Sequence, residues 1–171
     1  MKSLVDQMSV YAAFHRDPMN KAIHFVFVPA IIWSGMVLLS VPPGVLVGGV
    51  EVKASMVVAA LLLLYYLALD YPLGVAMVAL FTVLEGTALQ LAAQGWQVGL
   101  AVGGTVFVVS WVVQVVGHSA FEHNRPALTV NLWQVFVAPI FVVAEWVFAL
   151  GWRKDLRHAV EQGMQQHQQV S

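Results

Sequence analysis

Long apolar blocks decide what this chain can become. Residues 23–41, 54–69, 75–92 and 98–116 are almost free of charge, and a fifth stretch, 132–150, follows them. Each is close to the roughly 20 residues a helix needs to cross a hydrocarbon core of about 30 Å. The blocks are continuously apolar and do not alternate, which argues against barrel strands. The expected fold is all-α: an integral membrane helical bundle of four to five spans with an N-terminal amphipathic segment over residues 1–20. Residues 1–171 read as a single membrane domain, with residues 151–171 as a polar, glutamine-rich tail expected to fray over Gln162 to Gln169.

Polar punctuation separates the blocks. Pro42-Pro43-Gly44 ends the first, and residues 44–53 form a loop carrying Glu51 and Lys53. Asp70-Tyr71-Pro72-Leu73-Gly74 makes a tight connection, because Pro72 disfavours helical geometry at Tyr71. Ala93-Gln94-Gly95-Trp96-Gln97 is the next turn. Gly95, Gly99 and Gly103, spaced by four, offer a small-residue groove for a neighbouring helix.

Composition narrows the function classes. Hydrophobic residues are 60% and charged residues 10% of the chain, against roughly 45–50% and about 25% in a soluble domain. A net charge of −1 provides no basic surface, so nucleic acid is not an expected partner. The absence of cysteine excludes disulfides, thiolate zinc sites and iron–sulfur clusters. The first twenty residues lack an apolar h-region, so no cleaved signal peptide is expected. No Walker loop, Gly-x-Ser-x-Gly or His-Glu-x-x-His motif is present.

Against this background His15, His24 and His118 stand out. Polar, metal-capable groups at the mouth of an apolar bundle are expensive to keep. Two crossings return the chain to its starting side at residues 70–74, and four return it at 117–131. His15, His24, His118 and Asp70 are therefore expected on one membrane face. If residues 132–150 cross, Lys and Arg divide evenly between the two sides. If they re-enter instead, the histidine side holds all but Lys53 and is cytoplasmic by the positive-inside rule. Pro139 and Glu145 suit a broken or shallow helix there, and a cytoplasmic histidine side is favoured, while whether residues 132–150 cross or re-enter stays open.

Imidazole suits iron, zinc and copper. His118 and Glu122 lie four apart and share a helix face, with His123 further round. Glu122 and Asp70 can ligate a metal or orient a histidine by accepting its second N–H. Asn20 and Arg125 can hold a carboxylate, as Asp70 can bind other polar parts of a substrate. Glu85 and Glu145, each costing about 2.5–3.5 kcal/mol at a helix centre, read as structural groups that pair with tyrosines, tryptophans or backbone.

Two motifs carry a resemblance. Tyr11…His15…Asn20…His24…Pro29 is similar to the N-terminal signature of the 2-hydroxy fatty acid dioxygenases of fatty acid α-oxidation. Its eukaryotic members convert phytosphingosine to odd-numbered fatty acids. Trp111-Val112-Val113-Gln114-Val115-Val116-Gly117-His118-Ser119-Ala120-Phe121-Glu122, followed by Arg125-Pro126-Ala127-Leu128, resembles the second. The resemblance spans almost the whole chain and implies an Fe(II) enzyme that takes a 2-hydroxy fatty acid and O2. It implies cleavage of the C1–C2 bond and release of a fatty acid one carbon shorter. It implies His15, His24 and His118 as iron ligands, with His123 as a fourth candidate. Whether His123, Glu122 or only water and substrate completes the shell stays open. The compact chain looks like a bacterial member, placed in the inner membrane among lipid, and a homo-oligomer is left open. Two rival classes remain: a non-enzymatic lipid or proton carrier using Asp70, Glu85 and Glu145, and a haem-binding cytochrome with two axial histidines.

Overall fold

The structure is a computed structural model that describes residues 3–122 and 133–169. Its elements run α1 (Leu4–Ala13), α2 (Pro18–Ser40), β1 (Val45–Val47), β2 (Val50–Val52), α3 (Ala54–Leu69), α4 (Tyr71–Ala92), α5 (Trp96–Gly117), a π-helical turn (His118–Glu122), α6 (Gln134–Ala149) and α7 (Lys154–Gln169). The fold is an all-α membrane bundle, as the apolar blocks demand. Three helices are long and apolar enough to span a membrane: Pro18–Ser40, Tyr71–Ala92 and Trp96–Glu122. Ala54–Leu69 and Gln134–Ala149 are apolar but shorter. Contacts group the chain into two compact units, Met1–Val26 with Val113–Ser171, and Phe27–Val112.

In the first unit, α1 opens on a capping box between Ser3 and Asp6. It buries Leu4, Met8, Tyr11 and Ala12, and also the polar Gln7 and Ser9. A surface helix would expose a polar face. This one instead packs against both α6 and α7. The expectation of a frayed tail fails here. Residues 154–169 form α7, Val160 is buried, and Ser9 Oγ donates to the Val160 carbonyl at 3.2 Å. Gly163 is obligatory at this contact, since a Cβ there would collide with Ser9.

The α1–α2 break is made by Asp17 and Pro18. The Asp17 carboxylate accepts the N–H groups of Met19 (2.7 Å) and Asn20 (3.3 Å), while Pro18, which has no N–H to satisfy, opens the helix. Helix α2 therefore begins five residues before the expected start of the first span.

In the second unit, Asp70 ends α3 and caps α4, its Oδ1 accepting the Leu73 N–H at 3.0 Å. Gly74 lets α4 close on α3, for a Cβ there would lie 2.7 Å from the Leu67 Cα. The glycine groove holds for two of its three members. Cβ atoms on Gly99 and Gly103 would press on Val41, just past α2, and on Val37 of α2 at 2.5 and 2.9 Å. Gly95 instead forms the preceding turn at φ 120°. Glu85 finds a structural partner, accepting Ser55 Oγ at 2.6 Å, and Ser55 in turn meets Ser40 at 2.7 Å.

The loop expected over residues 44–53 is a β-hairpin. Val45 pairs with Val52, Leu46 with Glu51 and Val47 with Val50. Gly48 and Gly49 both take positive φ, 59° and 85°, as a two-residue type I′ connection requires.

Candidate metal centre

The first unit gathers three histidines from three segments. His15 follows α1, His24 sits in the second turn of α2, and His118 opens the π-helical turn. They are 2%, 3% and 2% exposed, so water does not serve their ring nitrogens. One ligand atom from each lies within 4.8 Å of the others. The three rings stand nearly perpendicular to one another, with centroids 4.4, 4.7 and 5.0 Å apart and interplanar angles of 81°, 77° and 83°.

The backbone fixes the tautomers of two of them. His15 Nδ1 lies 2.8 Å from the Tyr11 carbonyl, and His24 Nδ1 lies 2.9 Å from the Asn20 carbonyl. A carbonyl only accepts, so each Nδ1 carries the proton and donates. In a neutral imidazole the other nitrogen, Nε2, is then a bare lone pair. The two Nε2 atoms nevertheless approach to 3.1 Å. Two lone pairs at that distance repel unless a cation stands between them. Imidazole nitrogens sit about 2.0–2.1 Å from a first-row divalent ion, so two of them at right angles are roughly 3 Å apart. The observed approach fits that spacing. His118 Nδ1 is buried with no hydrogen-bond partner among the described residues. The donor set therefore fits a metal ion. It fits a haem poorly, because axial ligands lie on opposite faces of the macrocycle and 3.1 Å leaves no room for one.

Electrostatics favour neutral ligands. Burial, followed by the neighbouring His24, holds the His15 imidazole well below its ordinary value of 6.5. Tyr11 stacks flat on His15, with centroids 3.9 Å apart and planes 7° apart, and packs at 4.7 Å on Phe141 of α6. Burial pushes its phenol up. Tyr11 thus sets His15 twice, by its ring and by its carbonyl. The motif contained this residue, but only its i, i+4 spacing to His15 hinted at either role.

Glu122 belongs to the wall of the site. Its Oε1 accepts three donors: the N–H of Arg16 at 2.7 Å, the N–H of Asp17 at 2.9 Å and Asn20 Nδ2 at 3.1 Å. It is outside the three-histidine metal group. Asn20 is fully buried, with Nδ2 on Glu122 and Oδ1 left without a partner among the described residues. Gly117 allows this approach, since a Cβ there would lie 2.9 Å from Asn20 Oδ1. Glu145 lies 3.8 Å from the half-buried Lys21, a cation in place of the tyrosine, tryptophan or backbone partner expected. Asp70 belongs to the second unit, where it serves as a helix cap. His123 and Arg125 lie outside the described residues.

Fold and side chains together define a membrane-embedded helical protein with a buried three-histidine centre able to take a metal ion. The family described as "2-hydroxy-palmitic acid dioxygenase Mpo1-like" matches residues 1–150. The 2-hydroxy-palmitic acid dioxygenase MPO1 of Saccharomyces cerevisiae is 32% identical over 169 residues, covering 95% of this chain and 90% of the yeast protein. The chain belongs to the Mpo1-like family. No solved structure matches it.

Proposed function

We propose that the protein is an Fe(II)-dependent dioxygenase that shortens 2-hydroxy fatty acids by one carbon. Family membership supports an oxidoreductase of the dioxygenase class, and the yeast relative is named for a 2-hydroxy fatty acid. The observation that carries the metal assignment is the 3.1 Å approach of two deprotonated Nε2 atoms in a buried pocket. His15, His24 and His118 would hold the ion. Iron bound there would supply the redox chemistry that O2 needs to react with a 2-hydroxy acid. The balanced reaction is R–CH(OH)–COOH + O2 → R–COOH + CO2 + H2O, in which the C1–C2 bond breaks.

The chain's own groups prepare the site. The Tyr11 and Asn20 carbonyls keep protons on Nδ1, so both Nε2 atoms stay free. Burial excludes water. Glu122 binds the α1–α2 turn and acts as a positioning residue. Arg125 supplies the cation for the substrate carboxylate, and the acyl tail lies in the apolar phase, where each buried methylene contributes about 0.8 kcal/mol. Anaerobic loading followed by a substrate labelled at C1 with carbon-13 tests the proposal. The expected result is stoichiometric iron, no Soret band, and labelled CO2 in step with shortened acid. Turnover without metal, or metal without turnover of any 2-hydroxy fatty acid, would overturn it.

The histidine side is assigned to the cytoplasm. Helix α6, at 16 residues, is about 24 Å long and falls short of a 30 Å core. Its Phe141 packs on Tyr11 and its Glu145 reaches Lys21 in the first turn of α2, so its C-terminal half stands at the histidine layer. Helix α7 then packs on α1. We take the stretch that follows Trp133 to re-enter, a reading its short length and these two contacts support. Of eight Lys and Arg residues, seven fall on the histidine side and only Lys53 on the other. With no native cysteine, Leu46→Cys and Gln162→Cys report sidedness cleanly. An impermeant maleimide should label the first on intact cells and the second only after permeabilisation. Equal labelling of both would reject the assignment.

A further inference from the structure

The β1–β2 hairpin has two chemically different faces. Side chains alternate along a strand, and directly paired residues share a face. The pairing places Val45, Val47, Val50 and Val52 together on one side, and Leu46 with Glu51 on the other. Val45, Val47 and Val50 are 69%, 59% and 63% exposed, so no part of the described chain covers the valine face. The opposite face carries a single apolar side chain, Leu46, 74% exposed, beside a carboxylate engaged in polar contacts. Glu51 Oε1 accepts the Gly44 N–H at 2.7 Å and binds Lys53 Nζ at 2.8 Å. These contacts hold the Glu51 carboxyl below its usual range.

A four-valine face in water would be a liability. The chain gives this one a partner. The hairpin joins the C-terminal end of a span-length apolar helix, α2, to the apolar helix α3, so connectivity holds it at a membrane surface. Helix α3, which follows the hairpin in the chain, carries a stripe of exposed apolar residues, Val57, Leu61 and Leu64. That stripe fits acyl chains.

We infer that the hairpin is a membrane-interface anchor whose valine face lies in the acyl–headgroup boundary of the bilayer and whose Glu51–Lys53 face meets water. Its backbone edges require a hydrated zone, which places it at the boundary and not in the hydrocarbon centre. The anchor fixes the depth of the far end of α2, the helix that carries His24.

The test uses the cysteine-free chain in phosphatidylcholine vesicles, with a nitroxide attached at Val47→Cys, Val50→Cys or Leu46→Cys. All three positions are exposed, so the labels leave the fold intact. Labels at 47 and 50 should relax with O2, which concentrates in lipid, and resist a water-soluble nickel chelate. The label at 46 should show the reverse. Equal access of the nickel chelate to 46 and 47 would overturn the anchor. Spin–spin broadening between copies at 47, showing a second chain on the valine face, would overturn it as well. None of these readouts depends on metal or turnover, so they stand apart from the test of the dioxygenase.

Discussion

Replacing His24 or His118 by alanine is expected to remove stoichiometric metal and turnover together. The two Nε2 atoms of His15 and His24 converge to 3.1 Å, and His118 brings an unsatisfied Nδ1 into the same pocket. Removing any one ring leaves two donors and an opened shell. Outer-shell changes alone cost about 10–100-fold in metal affinity, so loss of a ligand should exceed that range. The same geometry predicts that chelation destabilises the fold. An ion at 100 times its dissociation constant contributes about 2.7 kcal/mol to stability, and its removal leaves two buried lone pairs facing each other. Metal analysis, product detection and thermal unfolding in detergent check all three effects. An alanine variant that keeps full metal and full turnover would sink the ligand assignment.

The second large effect is expected at Glu122. Its Oε1 holds Arg16 and Asp17, which follow His15, and Asn20, whose carbonyl orients His24. Hydrogen bonds to charged groups contribute about 1.5–3 kcal/mol each. Glu122→Ala frees three donors at once and should lower iron affinity by about 10–100-fold. Glu122→Gln keeps an oxygen acceptor and should retain most of that affinity. A positioning role predicts that Glu122→Ala recovers its turnover number when iron is saturating. A direct part in the reaction predicts that turnover stays low however much iron is supplied.

The spans were legible because runs of apolar residues near twenty long have few other solutions, and α3 matches the expected boundaries residue for residue. Helix α2 starts ahead of its apolar run because Asp17 caps it and Pro18 opens it, and the polar residues between Pro18 and Ile23 carry no hydropathy signal for a span. The hairpin was missed although Gly48-Gly49 between valine-rich runs is a hairpin signal; in a chain this apolar, such runs merge with the spans. Helix α7 was hidden because its composition is polar, and only Val160 and the contact of Gly163 with Ser9 show what it packs on. The histidines were found by type and by their motifs. Their tautomers were not, because the deciding partners are backbone carbonyls of Tyr11 and Asn20. The binding of Glu122 to two backbone N–H groups likewise has no side-chain signature on the donor side.

Helix α1, which orients the first histidine, is packed by α6 and α7, the last helices to be synthesised. At about 5–20 residues per second, His15 waits on the order of ten seconds before Val160 leaves the ribosome. Its support is absent throughout that interval. The nascent chain therefore lacks the finished three-histidine pocket while it is being made. If the three histidines take a metal ion, loading is then a step that follows the docking of α6 and α7 on α1.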